Sequence, residues 1–303
     1  MDLITYKDKF EKLETPFYYY DTRILKETLA EANRCAAEIP SAMVHFAIKA
    51  NANSTLLNYV KDAGMGADCV SGGEIQRCID AGIPASKIMF AGVGKTDKEI
   101  RLGIEKGILC FNVESLAEID IINRLAGEMQ KKARVALRIN PNIDAHTHKF
   151  ITTGLEENKF GISMDDMIPA ILKVEHADHL EYYGLHFHIG SQILNFNSFK
   201  ILSCTINKLQ NKLEAAGITT TRSINVGGGL GIDYEHPQEH SMPDFKAYFD
   251  TFKRHLQLRP GQALHFELGR ALSPHSGPPI TRPVLSTMAP RSSAPRAASA
   301  RTS

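Results

Sequence analysis

The chain alternates between two hydrophobic patterns. From Val44 onward, short runs of β-branched and aromatic residues are followed by longer segments in which apolar residues recur every three or four positions. The first pattern is typical of buried strands and the second of amphipathic helices. The sequence therefore predicts repeated βα units with eight strands: His45–Ile48, Ala67–Val70, Ile88–Ala91, Ile108–Asn112, Val135–Ile139, Tyr182–His188, Ser223–Val226 and Ala263–Glu267.

Residues that favour helix ends lie between these strands. Ser54 precedes the segment LLNYVKDA and Gly64 follows it, and Ser115 precedes a segment that ends near Met129. Such residues mark helix starts and stops. βαβ crossovers are right-handed, and their repetition to eight strands over roughly 250 residues favours a closed TIM-type (β/α)8 barrel, an α/β fold. An open doubly wound sheet is the alternative.

The last part of the chain breaks the pattern. Residues 273–303 hold six prolines, four arginines and no acidic residue. Such a segment buries too little apolar surface to offset its ordering entropy. We therefore expect a barrel domain with an N-terminal lead-in over residues 1–272 and a disordered tail over residues 273–303. The abrupt change after Leu272 resembles a frameshifted or artificial end.

Composition narrows the kinds of partner. Thirty-five Lys and Arg balance thirty-four Asp and Glu without a basic stripe, so we expect neither nucleic acid nor a membrane surface as partner. The five cysteines show neither disulfide-framework nor zinc-site spacing. The first residues lack the uninterrupted apolar core of a secretory signal. A cytoplasmic protein that acts on a small molecule is the expectation.

Polar residues follow most of the predicted strands. In a barrel of this type, residues at the carboxyl ends of the strands converge at one face and build the active site. The candidate site residues are Lys49, Asp68, Arg138, His188, Ser191, Gly227, Gly228, Gly229, Glu267, Gly269 and Arg270.

Lys49 is the candidate for covalent chemistry. A lysine at a strand end is more often a solvated charge. In the sequence FAIKAN, however, it follows an apolar strand between small residues. We therefore expect a desolvated amine, which favours the neutral form that Schiff-base formation needs.

The glycine run after the seventh strand is a candidate phosphate site. Three glycines could be merely a flexible loop, but barrels often bind phosphate with the loops after strands seven and eight. Arg270 adds a charged donor after strand eight. The run does not match the GxGxxG turn of dinucleotide-binding folds.

Two histidines share one face of the sixth strand. His186 and His188 alternate with apolar residues, and His188 is nearer to the carboxyl end of the strand. We interpret His188 as the ligand-binding histidine and His186 as structural. A zinc site at this pair is discounted, because no third ligand has suitable spacing.

Several motifs together resemble the fold type III pyridoxal-phosphate (PLP) decarboxylases over about Thr15 to Leu272. The motifs are FAIKAN, ADCVSGGE, RINPNIDAHTHKFITTG, KFGI, GLHFHIGSQI, NVGGGLGIDY and FELGR. The HTHKFITTG segment resembles the diaminopimelate branch rather than the ornithine or arginine branches. The resemblance implies PLP as cofactor, decarboxylation of meso-diaminopimelate to L-lysine, and a homodimer.

The resemblance also implies residue roles. Lys49 would hold PLP as a Schiff base, His188 would stack on its ring, and Glu267 would pair with its pyridine nitrogen. Asp68 and Arg138 would lie near the ring, and Arg270 would contact the phosphate side and the substrate carboxylate. The implied phosphate set is Ser191, Gly227, Gly228, Gly229 and Gly269.

The sequence departs from the family pattern at two points. Leu268 stands where the family usually has proline. The family barrel is followed by a β-domain with further catalytic groups and much of the dimer interface, which we do not find here, so we expect this chain to be inactive. A barrel-type racemase, a Schiff-base aldolase without PLP and a non-catalytic PLP-binding remnant remain alternatives. The racemase would pair the pyridine nitrogen with arginine, which Glu267 argues against.

Overall fold

The computed structural model describes residues 7–15, 17–143, 160–236, 239, 242–273 and 279–280. The chain forms two compact units, one from residues 1–20 and 277–303 and the other from residues 21–276. In the first unit, a short helix spans Lys7–Phe10, and strand Phe17–Tyr18 pairs antiparallel with Pro279–Ile280. We expected no strand in the final segment. The pairing of two such short strands is made by backbone hydrogen bonds, so no periodic pattern of side chains predicts it.

The predicted disorder of the tail concerns residues that mostly lie outside the described part of the chain. Of residues 273–303, the structure describes only Ser273 and Pro279–Ile280. The disordered tail therefore stays a prediction.

The second unit is a closed barrel of eight parallel strands, which confirms the predicted fold and excludes the open sheet. Each strand pairs with the next along the chain, and the last pairs with the first, with Ala42 opposite Leu264 and Phe46 opposite Leu268. All eight predicted strands are present, and no strand end differs from its predicted position by more than three residues. They are β1 Ala42–Ala47, β2 Gly66–Cys69, β3 Ile88–Phe90, β4 Cys110–Val113, β5 Ala133–Arg138, β6 Leu180–His186, β7 Ser223–Asn225 and β8 Ala263–Leu268.

In the described residues of the second unit, one helix precedes the first barrel strand and seven connect the strands. They are α1 Thr22–Ala36, α2 Ser54–Asp62, α3 Gly72–Asp80, α4 Asp97–Lys106, α5 Leu116–Glu128, α6 Met167–Glu175, α7 Asn197–Ala215 and α8 Phe245–His255. Ser115 caps α5 as predicted, accepting the Glu118 N–H. At α2 the cap is Asn53, one residue before the predicted Ser54, and its amide oxygen accepts the N–H groups of Thr55 and Leu56.

An aromatic cluster holds β8 from the outside of the barrel. Three aromatic residues on one face of α8 surround the ring of Phe266. The distance between ring centroids is 5.8 Å for Tyr248, 4.8 Å for Phe249 and 5.3 Å for Phe252. All four side chains are buried. Burial of such a side chain contributes about 1.5–3 kcal/mol. Because Phe266 points outward, its neighbours His265 and Glu267 point into the barrel.

No helix in the described ranges is long and apolar enough to cross a lipid bilayer.

Candidate active site

A cavity of about 620 Å³ opens at the carboxyl ends of the barrel strands. All predicted site residues except Gly227 and Gly228 line it. The structure thus brings together around one cavity Lys49, Asp68, Arg138, His188, Ser191, Gly229, Glu267, Gly269 and Arg270, and their roles stay predictions.

Glu267 forms the floor of the cavity and is buried. Its Oε1 accepts from the side-chain amides of Asn225 at 2.7 Å and Asn112 at 3.1 Å. Its Oε2 lies 3.0 Å from Nε2 of His186. Burial raises the pKa of Glu267, but the charges of His186 and His188 and the hydrogen bonds from His186 and Asn225 hold it well below its ordinary value. The floor of the cavity therefore carries a fixed negative charge.

Asp68 is a second buried carboxyl group on the wall. Its Oδ1 has no hydrogen-bond partner among the described residues. Burial, and then the charge of Glu267, raise the pKa of Asp68 well above its ordinary value, while Lys49 and Arg138 oppose the shift. The pKa values of the two carboxyl groups are thus shifted in opposite directions, because their environments differ in polarity. Glu267 favours the ionised form and Asp68 the protonated form.

Arg138 is fixed at the end of β5 by an ion pair. Its guanidinium donates to both carboxylate oxygens of Glu114, at 2.8 and 3.0 Å, and both side chains are buried. Its guanidinium carbon also lies 5.7 Å from the centre of the Phe160 ring. Arg138 therefore presents a positioned positive charge to the cavity.

Lys49 lies just beyond β1 in the short 3-10 helix Ile48–Ala50. It lines the cavity but is exposed, so the expected desolvation is wrong for this structure. The reason is local, since the 3-10 turn carries the lysine past the end of β1 to the open side of the cavity.

The glycine run after β7 packs closely against β6 and β8. A Cβ on Gly227 would lie 2.2 Å from the carbonyl oxygen of Phe187, and one on Gly228 would lie 2.1 Å from that of Glu267. The Gly227 N–H donates to Oδ1 of Asn225, and the Gly228 N–H donates to Nδ1 of His188 at 3.4 Å. These two glycines lie behind the wall, and Gly229 reaches the cavity. Their role in cofactor binding stays a prediction.

Arg270 closes one side of the cavity mouth. It is exposed, donates to the hydroxyl of Tyr234 and lies with its guanidinium carbon 5.8 Å from the centre of that ring. Gly269 precedes it, where a Cβ would come within 3.1 Å of the Cβ atoms of Ala47 and Ala50. Glycine therefore lets this turn approach the one that carries Lys49.

Sequence reasoning missed five residues of the site. These are Asn112, Glu114, His186, Asn225 and Tyr234. We interpreted His186 as structural, but it lines the cavity and binds the oxygen of Glu267. The inward asparagines in FNV and INV were the available signal, although the barrel register needed to use it was unknown. In the described ranges, no group of three or more His, Cys, Asp or Glu side chains could hold a metal ion.

The segment that suggested the diaminopimelate branch lies outside the described residues, which omit positions 144–159. From the following KFGI motif, Phe160 lines the cavity and Ile162 bridges to Ile139.

Comparison with known proteins agrees with this geometry. Residues 25–273 match the family of the pyridoxal-dependent decarboxylase, pyridoxal binding domain. Diaminopimelate decarboxylase from Bacteroides thetaiotaomicron is 57% identical over 91% of this chain and 71% of its own length. The crystal structure of diaminopimelate decarboxylase from Helicobacter pylori complexed with L-lysine is 38% identical, with a TM-score of 0.82 over 90% of this chain and 68% of that one. The chain accordingly belongs to the diaminopimelate decarboxylases of the pyridoxal-dependent decarboxylase family.

Proposed function

We propose that the chain acts in the PLP-dependent decarboxylation of meso-diaminopimelate to L-lysine and carbon dioxide. The observation that carries the proposal is the buried carboxylate of Glu267 on the cavity floor. A carboxylate beside the pyridine nitrogen keeps that nitrogen protonated and strengthens electron withdrawal by the ring. Loss of a carboxyl group needs strong withdrawal, so Glu267 favours a decarboxylase over the racemase alternative.

The cavity suits PLP in charge and in hydrogen-bonding capacity. Oδ1 of Asp68 and Nδ1 of His186 are buried wall atoms that have no partner among the described residues. The floor is anionic, whereas Arg270 and the backbone around Gly229 offer positive charge and close approach at the other end. PLP supplies an electron-withdrawing ring that takes up the electron pair left when the carboxyl group departs.

The chain's own residues hold and orient the reacting groups. Lys49 supplies the amine that would hold the cofactor and that the substrate amine would replace. His188 would lie against the ring, and its Nδ1 accepts the Gly228 N–H, which fixes the orientation of the imidazole. The cofactor phosphate would be bound by Ser191, Gly229, Gly269 and Arg270, which line the cavity. Gly227 and Gly228 would support this set from behind, because their close packing brings Gly229 to the wall.

The substrate would enter past Arg270 and Tyr234 at the cavity mouth. The guanidinium of Arg270 would bind a substrate carboxylate, since such charge-assisted pairs are strong and directional. The solved Helicobacter pylori relative is a complex with L-lysine, which fits L-lysine as the product here.

A homodimer is part of the proposal. Val93, Leu194 and Tyr234 are 61%, 50% and 56% exposed in the loops at the carboxyl ends of the strands. Exposed apolar side chains that cluster on one face favour a protein interface. The expected result is a particle of twice the chain mass in light scattering, and a monomer at all concentrations would contradict it. The cytoplasmic location stays a prediction.

Two measurements test the cofactor and the reaction separately. The purified chain, mixed with PLP, should show a visible absorbance that borohydride abolishes, and peptide mass analysis should place the trapped group on Lys49. Trapping elsewhere, or none, would contradict PLP binding and favour the aldolase alternative. Because we expect the barrel alone to be inactive, the reaction is measured with a family β-domain joined after Leu272, and carbon dioxide release should then be faster from meso-diaminopimelate than from L-ornithine or L-arginine. The reverse order, or no release, would contradict the proposed reaction.

A further inference from the structure

Gln192 has an unusual backbone conformation. Its φ is 59°, in the left-handed region that L-residues other than glycine seldom adopt. It follows Ser191 directly, in the loop after β6. Such a conformation persists where the surroundings over-determine it, and such positions cluster at functional sites.

The side chain of Gln192 explains why glycine does not occupy this position. Its Nε2 donates to the carbonyl oxygen of Ile232 at 2.6 Å, and its Oε1 accepts the Ile232 N–H at 3.2 Å. One amide group thus pairs with both backbone groups of a single residue. This pairing reaches from the loop after β6 to the loop after β7, 40 residues farther along the chain.

The backbones of the two loops also pair. The Ile193 N–H donates to the carbonyl oxygen of Gly229 at 2.8 Å, and the Gly231 N–H donates to that of Ile193 at 3.0 Å. A Cβ on Gly231 would lie 2.9 Å from the backbone carbon of Gln192. The side chain of Gln192 therefore continues a short ladder between the loops.

Both loops contribute walls to the cavity. Ser191 comes from the first, and Gly229, Leu230 and Ile232 come from the second. A change in the spacing between the loops would move Ser191 relative to Gly229. These residues belong to the phosphate-binding set of the proposed function.

We propose that Gln192 is a positioning residue that fixes the spacing of Ser191 and Gly229 and thereby sets the affinity of the chain for the phosphate group of its cofactor. The inference rests on the proposed function. Gln192 acts through its neighbours, because it pairs with the backbone of Ile232 and is absent from the cavity wall.

The test compares two identical substitutions. Gln192→Gly removes the amide clamp and relieves the left-handed strain. Gln130→Gly is the matched control, because Gln130 is exposed, has a φ of 52° and follows α5 away from the cavity. Equilibrium titration should show the dissociation constant for PLP rise at least about tenfold in Gln192→Gly, which corresponds to about 1.4 kcal/mol. The control should change less than about twofold from the wild type.

Pyridoxal, which lacks the phosphate, separates positioning from a general structural role. Gln192→Gly should bind pyridoxal within about twofold of wild type. A parallel loss for pyridoxal and PLP, or an unchanged PLP affinity, would overturn the inference. Failure of the wild-type chain itself to bind PLP would instead overturn the proposed function on which the inference rests.

Gln192→Glu provides a second readout and covers the case in which the glycine variant does not fold. An ionised glutamate can accept the Ile232 N–H but repels the Ile232 carbonyl oxygen, whereas a protonated glutamic acid can donate and accept as glutamine does. The ratio of variant to wild-type PLP dissociation constants should be large near pH 8 and should fall as the pH is lowered toward the ordinary glutamate pKa of about 4.3. A ratio that does not depend on pH would contradict the clamp.

Discussion

The barrel interior holds two buried polar layers, and they differ in how their hydrogen bonds are used. The upper layer, at the carboxyl ends of the strands, is built around Glu267. The lower layer is built around His265, two residues earlier on β8 and therefore also directed inward. The upper layer faces the cavity, and one atom each of Asp68 and His186 has no hydrogen-bond partner in the part of the chain that the structure describes.

The lower layer is a linear chain of hydrogen bonds in which every ring nitrogen of His45 and His265 has a partner. Nδ1 of His45 lies 3.2 Å from the carbonyl oxygen of Lys87, which can only accept, so this nitrogen donates. Nε2 of His45 then accepts from Nδ1 of His265 at 2.9 Å, and Nε2 of His265 accepts from the Tyr183 hydroxyl at 3.3 Å. Each ring nitrogen has one role, and the direction of the chain follows from the single carbonyl at its end.

The comparison teaches that buried polarity alone does not make a site. Burial lowers the pKa of His45 to about 4 and, with the charge of His45, that of His265 to about 3, so both rings are neutral. The protein itself satisfies their donors and acceptors. In the upper layer, the Glu267 carboxylate and the atoms of Asp68 and His186 that have no partner among the described residues face the cavity, so they are available to bind another molecule.

Replacing Lys49 by alanine should give the largest effect. Without the amine, borohydride trapping of PLP should disappear, because covalent attachment to the chain is lost. The trapped fraction is measured by absorbance and by intact mass. Lys98→Ala, at an exposed position on α4, is the control and should trap PLP as the wild type does. Equal trapping in both variants would remove Lys49 from this role.

The substitution Glu267→Gln should give the next largest effect, at the upper layer. A neutral amide cannot hold the pyridine nitrogen protonated. In the protein with a family β-domain joined after Leu272, turnover should therefore fall by about 10²–10³-fold, the range seen when one preorganised electrostatic partner is removed. PLP should remain bound, as titration by fluorescence would show. A variant that turns over at the wild-type rate would be incompatible with the electron-withdrawing role of this layer.

His265→Phe should affect the lower layer alone. An aromatic ring is kept, but Nε2 of buried His45 and the hydroxyl of half-buried Tyr183 lose their partner. The unpaired buried nitrogen of His45 should cost about 1–3 kcal/mol. The free energy of unfolding in urea should fall accordingly, while the PLP affinity of the folded protein should not change. Weaker PLP binding without a loss of stability would show that the two layers are not independent.

The pH dependence of stability should give the smallest effect. The folded-state pKa values of His45 and His265 lie below the ordinary 6.5, so the unfolded chain binds protons between about pH 4 and 6.5 that the folded chain does not. The stability that these two histidines contribute is therefore present above about pH 6.5 and is lost as the pH is lowered. Each histidine should account for about 1 kcal/mol between about pH 7.5 and 5.5. His265→Phe should make urea midpoints less dependent on pH, and an unchanged slope would contradict the argument.

The sequence predicted the barrel because strand and helix periods alternate along one dimension. It also predicted the convergence of Lys49, Asp68 and Glu267, since the carboxyl ends of parallel strands meet at one face. The predicted start of β4 at Ile108 and the predicted end of β6 at His188 each differ by two residues from the observed Cys110 and His186. Hydrogen-bonded pairing with neighbouring strands, rather than composition, decides where a strand begins and ends.

Contacts across the barrel could not be predicted in this way. Asn112 and Glu267 are 155 residues apart, and their meeting depends on barrel closure and on which side chains point inward. Gln192 was missed because neither its left-handed backbone nor its pairing with Ile232 leaves a mark in the local pattern. The exposure of Lys49 likewise depends on a 3-10 turn that the apolar sequence FAIKAN does not reveal.

The pairing of β1 with β8 has a consequence for the order of assembly during translation. The two strands are joined by contacts such as His45 with His265, 220 residues apart, and such long-range closure is slow. Lys49 leaves the ribosome early, whereas Glu267 and Arg270 emerge after seven strands have been made. A nascent chain can therefore complete its cofactor pocket only after β8 has been made, so the onset of PLP capture during translation would report when β8 docks.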